Sequence, residues 1–220
     1  MILERVLGGQ RSWVVGASSD IGRAVAGQLA AAGSDVVLFG RDVGALERTA
    51  QRCRSHDVAV ATVAVDLTDV ASEAKMDEAR ETARVDHVVW AAGAFDWARA
   101  DVADADAWAN LVDINLVAAM RTTRLVLPDL VAAGGGSLVY IASLAGLDVF
   151  ANNAAYVASK HGLVAFARAV FLDVRDHGVK VCAVCPGLVD AGATTGFPSE
   201  QRGLFLRPSD IADAVLYVVT

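Results

Sequence analysis

A chain of 220 residues, 55% of them hydrophobic and 20% charged, is long enough to bury a core and too apolar to remain disordered. Its net charge of −7 excludes the basic face that nucleic acid or an anionic membrane surface would need. No apolar run approaches the roughly 18 residues of a membrane span, and the opening M-I-L-E-R-V-L-G-G-Q-R lacks the apolar stretch of a secretory leader. A cytoplasmic protein forming one domain over residues 1–220 is therefore expected.

Short valine-rich runs alternate along the chain with longer amphipathic stretches. Strands are predicted over 12–15, 35–39, 59–65, 87–91, 137–142 and 180–184. They are apolar on both sides, as strands of a parallel sheet covered by helices should be. Helices are predicted over 21–32, 43–53, 70–83, 105–130, 153–177 and 209–219. Gly33, Gly134 and Gly178 stand where helices end, and Asp42, Asp69 and Ser209 where they begin. This β-α-β-α order predicts an α/β fold: a Rossmann-type doubly wound parallel sheet flanked by helices in three α/β/α layers. The loop-rich stretch 189–208, with Gly192, Gly196 and Gly203, is the expected substrate loop.

The cysteines and histidines point away from metal chemistry. Cys182 and Cys185 form a C-x-x-C inside V-K-V-C-A-V-C-P, a strand-like run where i and i+3 lie on opposite faces. They read as buried strand cysteines rather than a redox pair or half a zinc site. Cys53 is expected on a surface helix. His56, His87, His161 and His177 show no ligand spacing, so no metal is expected.

Two motifs carry chemistry. After the first strand, V-V-G-A-S-S-D-I-G-R places Gly16 and Gly22 around a turn into a helix, with Ser18, Ser19, Asp20 and Ile21 between them. Gly16 permits the tight turn and Gly22 the close approach of backbone and pyrophosphate, at the positive end of the helix. Asp20 takes the place of a middle glycine and is expected to cap the helix. The second motif is Y-V-A-S-K, where Tyr156 and Lys160 are four residues apart and share a helix face. A free phenol titrates near 10. Lowering it by about two to three units takes about 3–4 kcal/mol, within reach of a desolvated ammonium together with a cationic group bound beside it.

G-A-S-S-D-I-G, Asn115, Ser143 in S-L-A-G, Y-V-A-S-K and C-P-G-L-V-D stand in the order and spacing of the short-chain dehydrogenase/reductase family, which the chain resembles from about Arg11 to Thr220. The resemblance implies that Tyr156 is the catalytic acid/base, and that Lys160 holds the nicotinamide ribose and lowers the tyrosine pKa. It implies that Ser143 hydrogen-bonds the substrate oxygen and that Asn115 completes a water-linked proton relay. Asp66 and Leu67, in V-D-L-T, match the adenine contact; Pro186, Gly187 and Val189 match the turn beside the nicotinamide. The chain departs from the family in places. Val15 replaces a threonine, W-A-A-G at 90–93 replaces N-N-A-G, and Ala191 replaces a threonine after P-G-L-V-D. Ala92 and Gly93 still permit close coenzyme approach, whereas loss of the asparagine amides implies a local cost in stability. The chain also stops short of the family's usual seventh strand.

Coenzyme choice turns on V-V-L-F-G-R-D at the end of the second strand. Asp42 reads as a helix N-cap, which leaves Arg41 to clamp a 2′-phosphate. NADP(H) is thus preferred, with NAD(H) still possible. The expected activity is hydride exchange with a ketone or aldehyde. A non-catalytic NADP-binding sensor or scaffold, and an epimerase or dehydratase using the same tyrosine-lysine pair, are the alternatives. Phe95, Trp97, Leu144, Leu147, Phe150, Leu188 and Phe197 are candidate pocket residues, and Asp148 a candidate for an amino or hydroxyl group. Helices 105–130 and 153–177 are apolar on more than one face. With Gly162, Ala165 and Ala169 allowing close approach, they imply a homodimer or homotetramer.

Overall fold

The structure, a computed structural model, describes residues 5–220. Six valine-rich runs form strands: Arg11–Val15 (β1), Asp35–Gly40 (β2), Val60–Ala64 (β3), His87–Trp90 (β4), Gly136–Ile141 (β5) and Val179–Val184 (β6). They pair in parallel in the order β3-β2-β1-β4-β5-β6. Each crossover carries a helix, so the sheet is covered on both faces. Asp20–Ala31 (α1), Val43–Arg54 (α2) and Pro208–Val219 (α8, after the short helix α7 at Ser199–Arg202) bury Val25, Leu29, Leu46 and Val215 against one face. Ala71–Thr82 (α3), Ala118–Ala133 (α5) and Ala154–Val174 (α6) bury Met76, Val126, Leu130 and Leu163 against the other. The expected three-layer parallel fold is what forms. The strand order reverses between β1 and β4, which opens a crevice beyond their carboxyl ends. No helix among the described residues is long and apolar enough to cross a membrane.

The differences from the sequence reading have local causes. β3 is not apolar-buried on both sides, because it is the sheet edge and its residues are exposed or half-buried. The long helix over 105–130 is instead Ala105–Val112 (α4), a π-helical turn at Asp113–Val117 and α5. The α6 helix stops at Val174, and a 3₁₀ turn carries the chain to Gly178 at φ 73°. Ser209 does not cap α8; the Arg207 N–H donates to Asp210 Oδ2 at 2.7 Å, with Pro208 as the first helical residue. Cys53 lies fully buried on the inner face of α2, and the edge position of β6 leaves Cys182 and Cys185 half-buried. Gly162 serves an internal contact: a Cβ there would sit 2.7 Å from Leu116 Cδ2 of the same chain.

Trp90 shows how the centre of the sheet manages without the missing amides. Trp13 and Trp90 are buried on one sheet face, Trp13 against Phe39 with ring centroids 4.7 Å apart, and both indole N–H groups lack an acceptor. Leaving such a donor unpaired costs about 1–3 kcal/mol, whereas burying an indole of about 150–250 Å² contributes roughly 4–6 kcal/mol. Burial wins. At the amino ends of the strands His87 is buried, with Nε2 donating to Gln10 Oε1 at 2.5 Å and Nδ1 accepting from Ser137 Oγ at 2.7 Å. Burial pushes its pKa down to about 4.

Candidate active site

The phosphate-binding turn is shaped by what glycine lacks. Gly16 has φ 92°, and a Cβ there would lie 2.5 Å from the Ala92 nitrogen, so the end of β1 can meet the chain after β4 only without a side chain. A Cβ on Gly22 would strike the Gly16 carbonyl. Ser19, rather than Asp20, caps α1: its Oγ accepts from the Gly22 N–H at 3.0 Å and donates to the Gly16 carbonyl at 2.8 Å. Asp20 is the first residue of the helix and points elsewhere. One carboxylate oxygen accepts from the Gly192 N–H at 3.0 Å and the other lies 3.5 Å from Arg23. With the Gly22 N–H taken by Ser19, the Asp20 and Ile21 N–H groups are left at the positive end of α1, the arrangement that suits an anion. Ser18 packs beside Gly40, where an added Cβ would lie 2.9 Å from Ser18 Oγ.

Beyond β2, Asp42 caps α2 by accepting from the Ala45 N–H at 2.9 Å. Arg41 is exposed at the sheet end. Asp66 is held below its ordinary pKa, first by the Thr68 N–H and hydroxyl, at 3.0 and 2.8 Å, and last by the charge of Arg41. The Leu67 carbonyl accepts from Arg121 at 2.9 Å. These contacts fit the group the fold calls for. Two glycines leave room for a backbone-hugging pyrophosphate, and the Arg41 guanidinium is exposed beyond the end of β2.

On the other side of the crevice, α6 presents Tyr156 and Lys160. Ser143 follows β5, and its Oγ accepts from the Ala145 N–H at 3.1 Å in the turn Leu144–Gly146. Gly146 lets that turn settle on α6, since a Cβ there would lie 2.8 Å from the Lys160 carbonyl oxygen. Lys160 is buried, with Nζ donating to the Ile141 carbonyl at 3.1 Å and lying 5.7 Å from the centroid of the Tyr156 ring. Burial lowers its pKa to about 8. Tyr156 stands above its ordinary value because it too is buried, and the Ser143 hydroxyl draws it only part of the way back. The chain by itself thus holds the phenol protonated, the reverse of the lowering expected from Lys160. Phe95 meets the Tyr156 ring edge-on at 5.0 Å and limits its swing.

Asn115 lies on the π-helical turn, fully buried. Its Oδ1 accepts from the Ala94 N–H at 2.7 Å, and its Nδ2 donates to the Ala94 carbonyl and to Ser159 Oγ, both at 3.0 Å. Ser159 in turn donates to the Tyr156 carbonyl at 2.8 Å. The widened turn is what aims this short side chain at the segment after β4. A Cβ on Gly93 would lie 3.2 Å from Asn115 Oδ1 and 3.4 Å from Lys160 Nζ, so Gly93 lets the three meet.

Between these elements lies a cavity of about 820 Å³. Ser143, Tyr156, Ile21, Pro186, Gly187 and Val189 line it, as do six of the seven predicted pocket residues; Leu147 does not. Asp148 is absent from its wall and accepts a hydrogen bond from the neighbouring Val149 N–H. Three participants escaped the sequence reading: Ser159, Asn153 and Thr194. Asn153 and Thr194 line the cavity. Thr194 stands three residues after Ala191 and returns a hydroxyl to the region, donating to the Val189 and Ala191 carbonyls at 2.7 and 2.9 Å. No group of three or more His, Cys, Asp or Glu positioned for a metal occurs among the described residues.

Residues 11–202 match the family model for short chain dehydrogenases. The chain belongs to the short-chain dehydrogenase family. An uncharacterized oxidoreductase of Staphylococcus aureus (strain N315) is 32% identical over 213 residues, covering 94% of this short-chain dehydrogenase and 89% of the relative. Among solved structures, a protein of Beutenbergia cavernae provisionally assigned as an NAD(P)-dependent gluconate 5-dehydrogenase, with NADP bound, superposes with a TM-score of 0.91. The two are 31% identical, over 98% of this chain and 91% of the other. A 3-oxoacyl (acyl-carrier-protein) reductase of Agrobacterium tumefaciens C58, with NADP bound, gives a TM-score of 0.90 at 26% identity, over 100% of this dehydrogenase and 90% of the other chain. Both of these solved neighbours carry NADP.

Proposed function

We propose that this short-chain dehydrogenase uses NADP(H) to interconvert a ketone or aldehyde with its alcohol, with Tyr156 as the acid/base. The observation that carries the reading is Tyr156 beside Ser143 on the wall of the cavity, with Lys160 Nζ 5.7 Å from the centroid of its ring. The first turn of α1, with Ser18, Ser19, Ile21 and Gly22, would hold the pyrophosphate, and Arg41 the 2′-phosphate. Asp66 and Leu67 would flank the adenine. Ala92, Gly93, Pro186, Gly187, Val189 and Lys160 would flank the nicotinamide end. When bound, the coenzyme supplies or accepts a hydride at the carbonyl carbon.

The chain's own residues handle the proton and the charge. Ser143 Oγ donates to the substrate oxygen, fixing it against Tyr156 Oη and stabilising the charge that develops there. Tyr156 Oη then gives its proton to that oxygen; burial keeps the phenol protonated but makes it a weaker acid, so the Lys160 ammonium and the bound coenzyme would have to favour the phenolate as the proton leaves. The Lys160 ammonium restrains the resulting phenolate until it is reprotonated. With the Asn115 side-chain donors held by Ala94 and Ser159, a relay through this residue would pass by its backbone carbonyl. Ala165 and Ala169 leave an exposed small-residue face on α6, and association of copies through α5 and α6 in the cytoplasm is part of the same proposal.

The test is NADPH oxidation against a panel of carbonyl compounds. Tyr156→Phe should lose about 10²–10⁴ in turnover while keeping its coenzyme affinity. Wild-type turnover in that variant would end the mechanism. Equal or tighter binding of NADH than of NADPH would end the coenzyme assignment, and Arg41→Ala should weaken NADPH alone.

A further inference from the structure

Arg121 stands near the start of α5 and holds three separate segments with one guanidinium. Nη2 donates to the Leu67 carbonyl at 2.9 Å and to Asp113 Oδ1 at 3.2 Å, and Nε lies 3.4 Å from Glu73 Oε1. The Arg121 side chain is 25% exposed and that of Asp113 28%, so water screens the pair only in part. Leu67 follows β3, on the segment proposed to flank the adenine. Glu73 opens α3, and Asp113 is the first residue of the π-helical turn that carries Asn115. The proton and charge chemistry assigned to Tyr156, Ser143 and Lys160 uses none of these contacts.

The pairing with Asp113 depends on the π turn. In an unbroken α-helix, residues eight apart lie about 80° apart around the axis. Here the Ala118 N–H donates to the Asp113 carbonyl, an i to i+5 bond that absorbs one extra residue. Asp113 and Arg121 then stand as i and i+7, about 20° apart and about 10 Å along the axis. An arginine leaning toward the helix N-terminus spans that gap to an aspartate. The same turn brings Asn115 Oδ1 to the Ala94 N–H at 2.7 Å. Relaxing it to an ordinary α turn would rotate Asp113 away from Arg121 and Asn115 away from Ala94 together. Resting on the coenzyme reading above for what occupies the Leu67 end, we infer that Arg121 is a positioning residue that ties the adenine-flanking segment to the π turn. Adenine binding fixes the Leu67 carbonyl, Leu67 fixes the guanidinium, and the guanidinium holds Asp113 in the register that only the π turn provides. The far half of the coenzyme thereby helps to assemble the near half. Asn115 and Lys160 meet across Gly93, where a Cβ would lie 3.2 and 3.4 Å from their side chains, so the register reaches the reacting end.

The probes are adenosine 2′,5′-bisphosphate and 5′-AMP, which carry the adenine with and without a 2′-phosphate and have no nicotinamide. Hydrogen exchange of the Ala94 amide, which Asn115 holds, is read by NMR. In the wild type the bisphosphate should slow that exchange about tenfold. In Arg121→Met the probe should still bind, yet slow Ala94 by less than about twofold. Asp113→Ala should behave likewise and serves if the arginine variant does not fold. Glu73→Gln, which alters only the α3 contact, should keep the full response. With a carbonyl substrate, Arg121→Met should lower kcat for NADPH about tenfold more than kcat for reduced nicotinamide mononucleotide, which lacks the adenine. General damage would lower both alike. No slowing at Ala94 in the wild type with the probe bound, full slowing in Arg121→Met, or equal loss with both coenzymes overturns the inference. Arg121-dependent slowing in a protein that turns over no carbonyl upholds it and overturns the catalytic reading instead. An equal response to 5′-AMP at equal affinity upholds it and overturns only the NADP assignment.

Discussion

Two cavities flank the loop over 189–208, share Ala191 in their walls, and are otherwise opposites. The larger, about 820 Å³, is apolar and contains Tyr156. The smaller, about 450 Å³, is lined by Asp20, Arg23, Arg52, Asp190 and Arg202. In the smaller one four of the five charges are paired: Arg202 donates to Asp190 at 2.7 Å, and Asp20 is divided between Arg23 and the Gly192 N–H. These groups are a third exposed or more, or nearly so, and water screens them. In the larger one the polar groups are few, Asn153 and Thr194 buried and Ser143 and Tyr156 half-buried among apolar walls, so each is hard to replace. The same loop thus meets a site where single atoms matter and a site where they compensate.

The largest effect should follow from disturbing the apolar side. Gly146→Val would drive the Ser143 turn off α6, and a displacement of about 1 Å at that turn should reduce kcat about a hundredfold. Stopped-flow turnover alongside melting curves separates this from unfolding; unchanged kcat would show that Ser143 does not need the docked turn. Next in size is the pH response of Lys160. Its folded pKa of about 8 lies below its unfolded value near 10.5, so the unfolded chain binds more protons across that window. Stability should rise from pH 8 to 10.5 and be lost again on the way down, by up to about 3 kcal/mol relative to Lys160→Met. NADPH affinity should move the other way, falling as the ammonium is lost above pH 8. Parallel denaturant and binding titrations would expose a failure of either sign.

His87 offers a comparable effect far from both cavities. Its pKa is depressed to about 4 from 6.5, so it adds stability above pH 6.5 that is lost as pH falls toward 4. Acid unfolding should shift to lower pH in His87→Gln; an unmoved midpoint would mean that His87 is not the group being protonated. The smallest effects belong to the charged side. Arg202→Ala should cost less than about 1 kcal/mol, and Asp20→Asn should change the KM for NADPH by no more than about threefold, since an amide oxygen still accepts from Gly192. A hundredfold loss in either would erase the contrast between the cavities.

Much of this was legible in the sequence because it depends on local pattern. Valine runs and glycine stops marked the six strands to within a residue, and the ends of the crossover helices to within about three. The i, i+4 spacing put Tyr156 and Lys160 on one helix face, and Asp42 declared itself a cap. What the pattern missed depends on contacts between distant segments. Asp20 and Ser19 are equally good capping residues on paper, and only the meeting of the turn with Gly192 decides which one caps. Asn153 resembles any helix-start asparagine until Ala151 takes its amide nitrogen and the surrounding fold buries its oxygen. Gly162 read as a surface for a second copy because nothing local marks Leu116 as its neighbour.

By itself, then, the order of residues determined the parallel three-layer sheet, the glycine-lined turn and the tyrosine-lysine pair, since strand burial, helix periodicity and steric room are properties of short segments. The tertiary structure decided the protonation of that pair. A sequence places Lys160 near Tyr156 and implies a lowered phenol. The fold buries both, and desolvation disfavours the charged form of each, raising the phenol and lowering the amine.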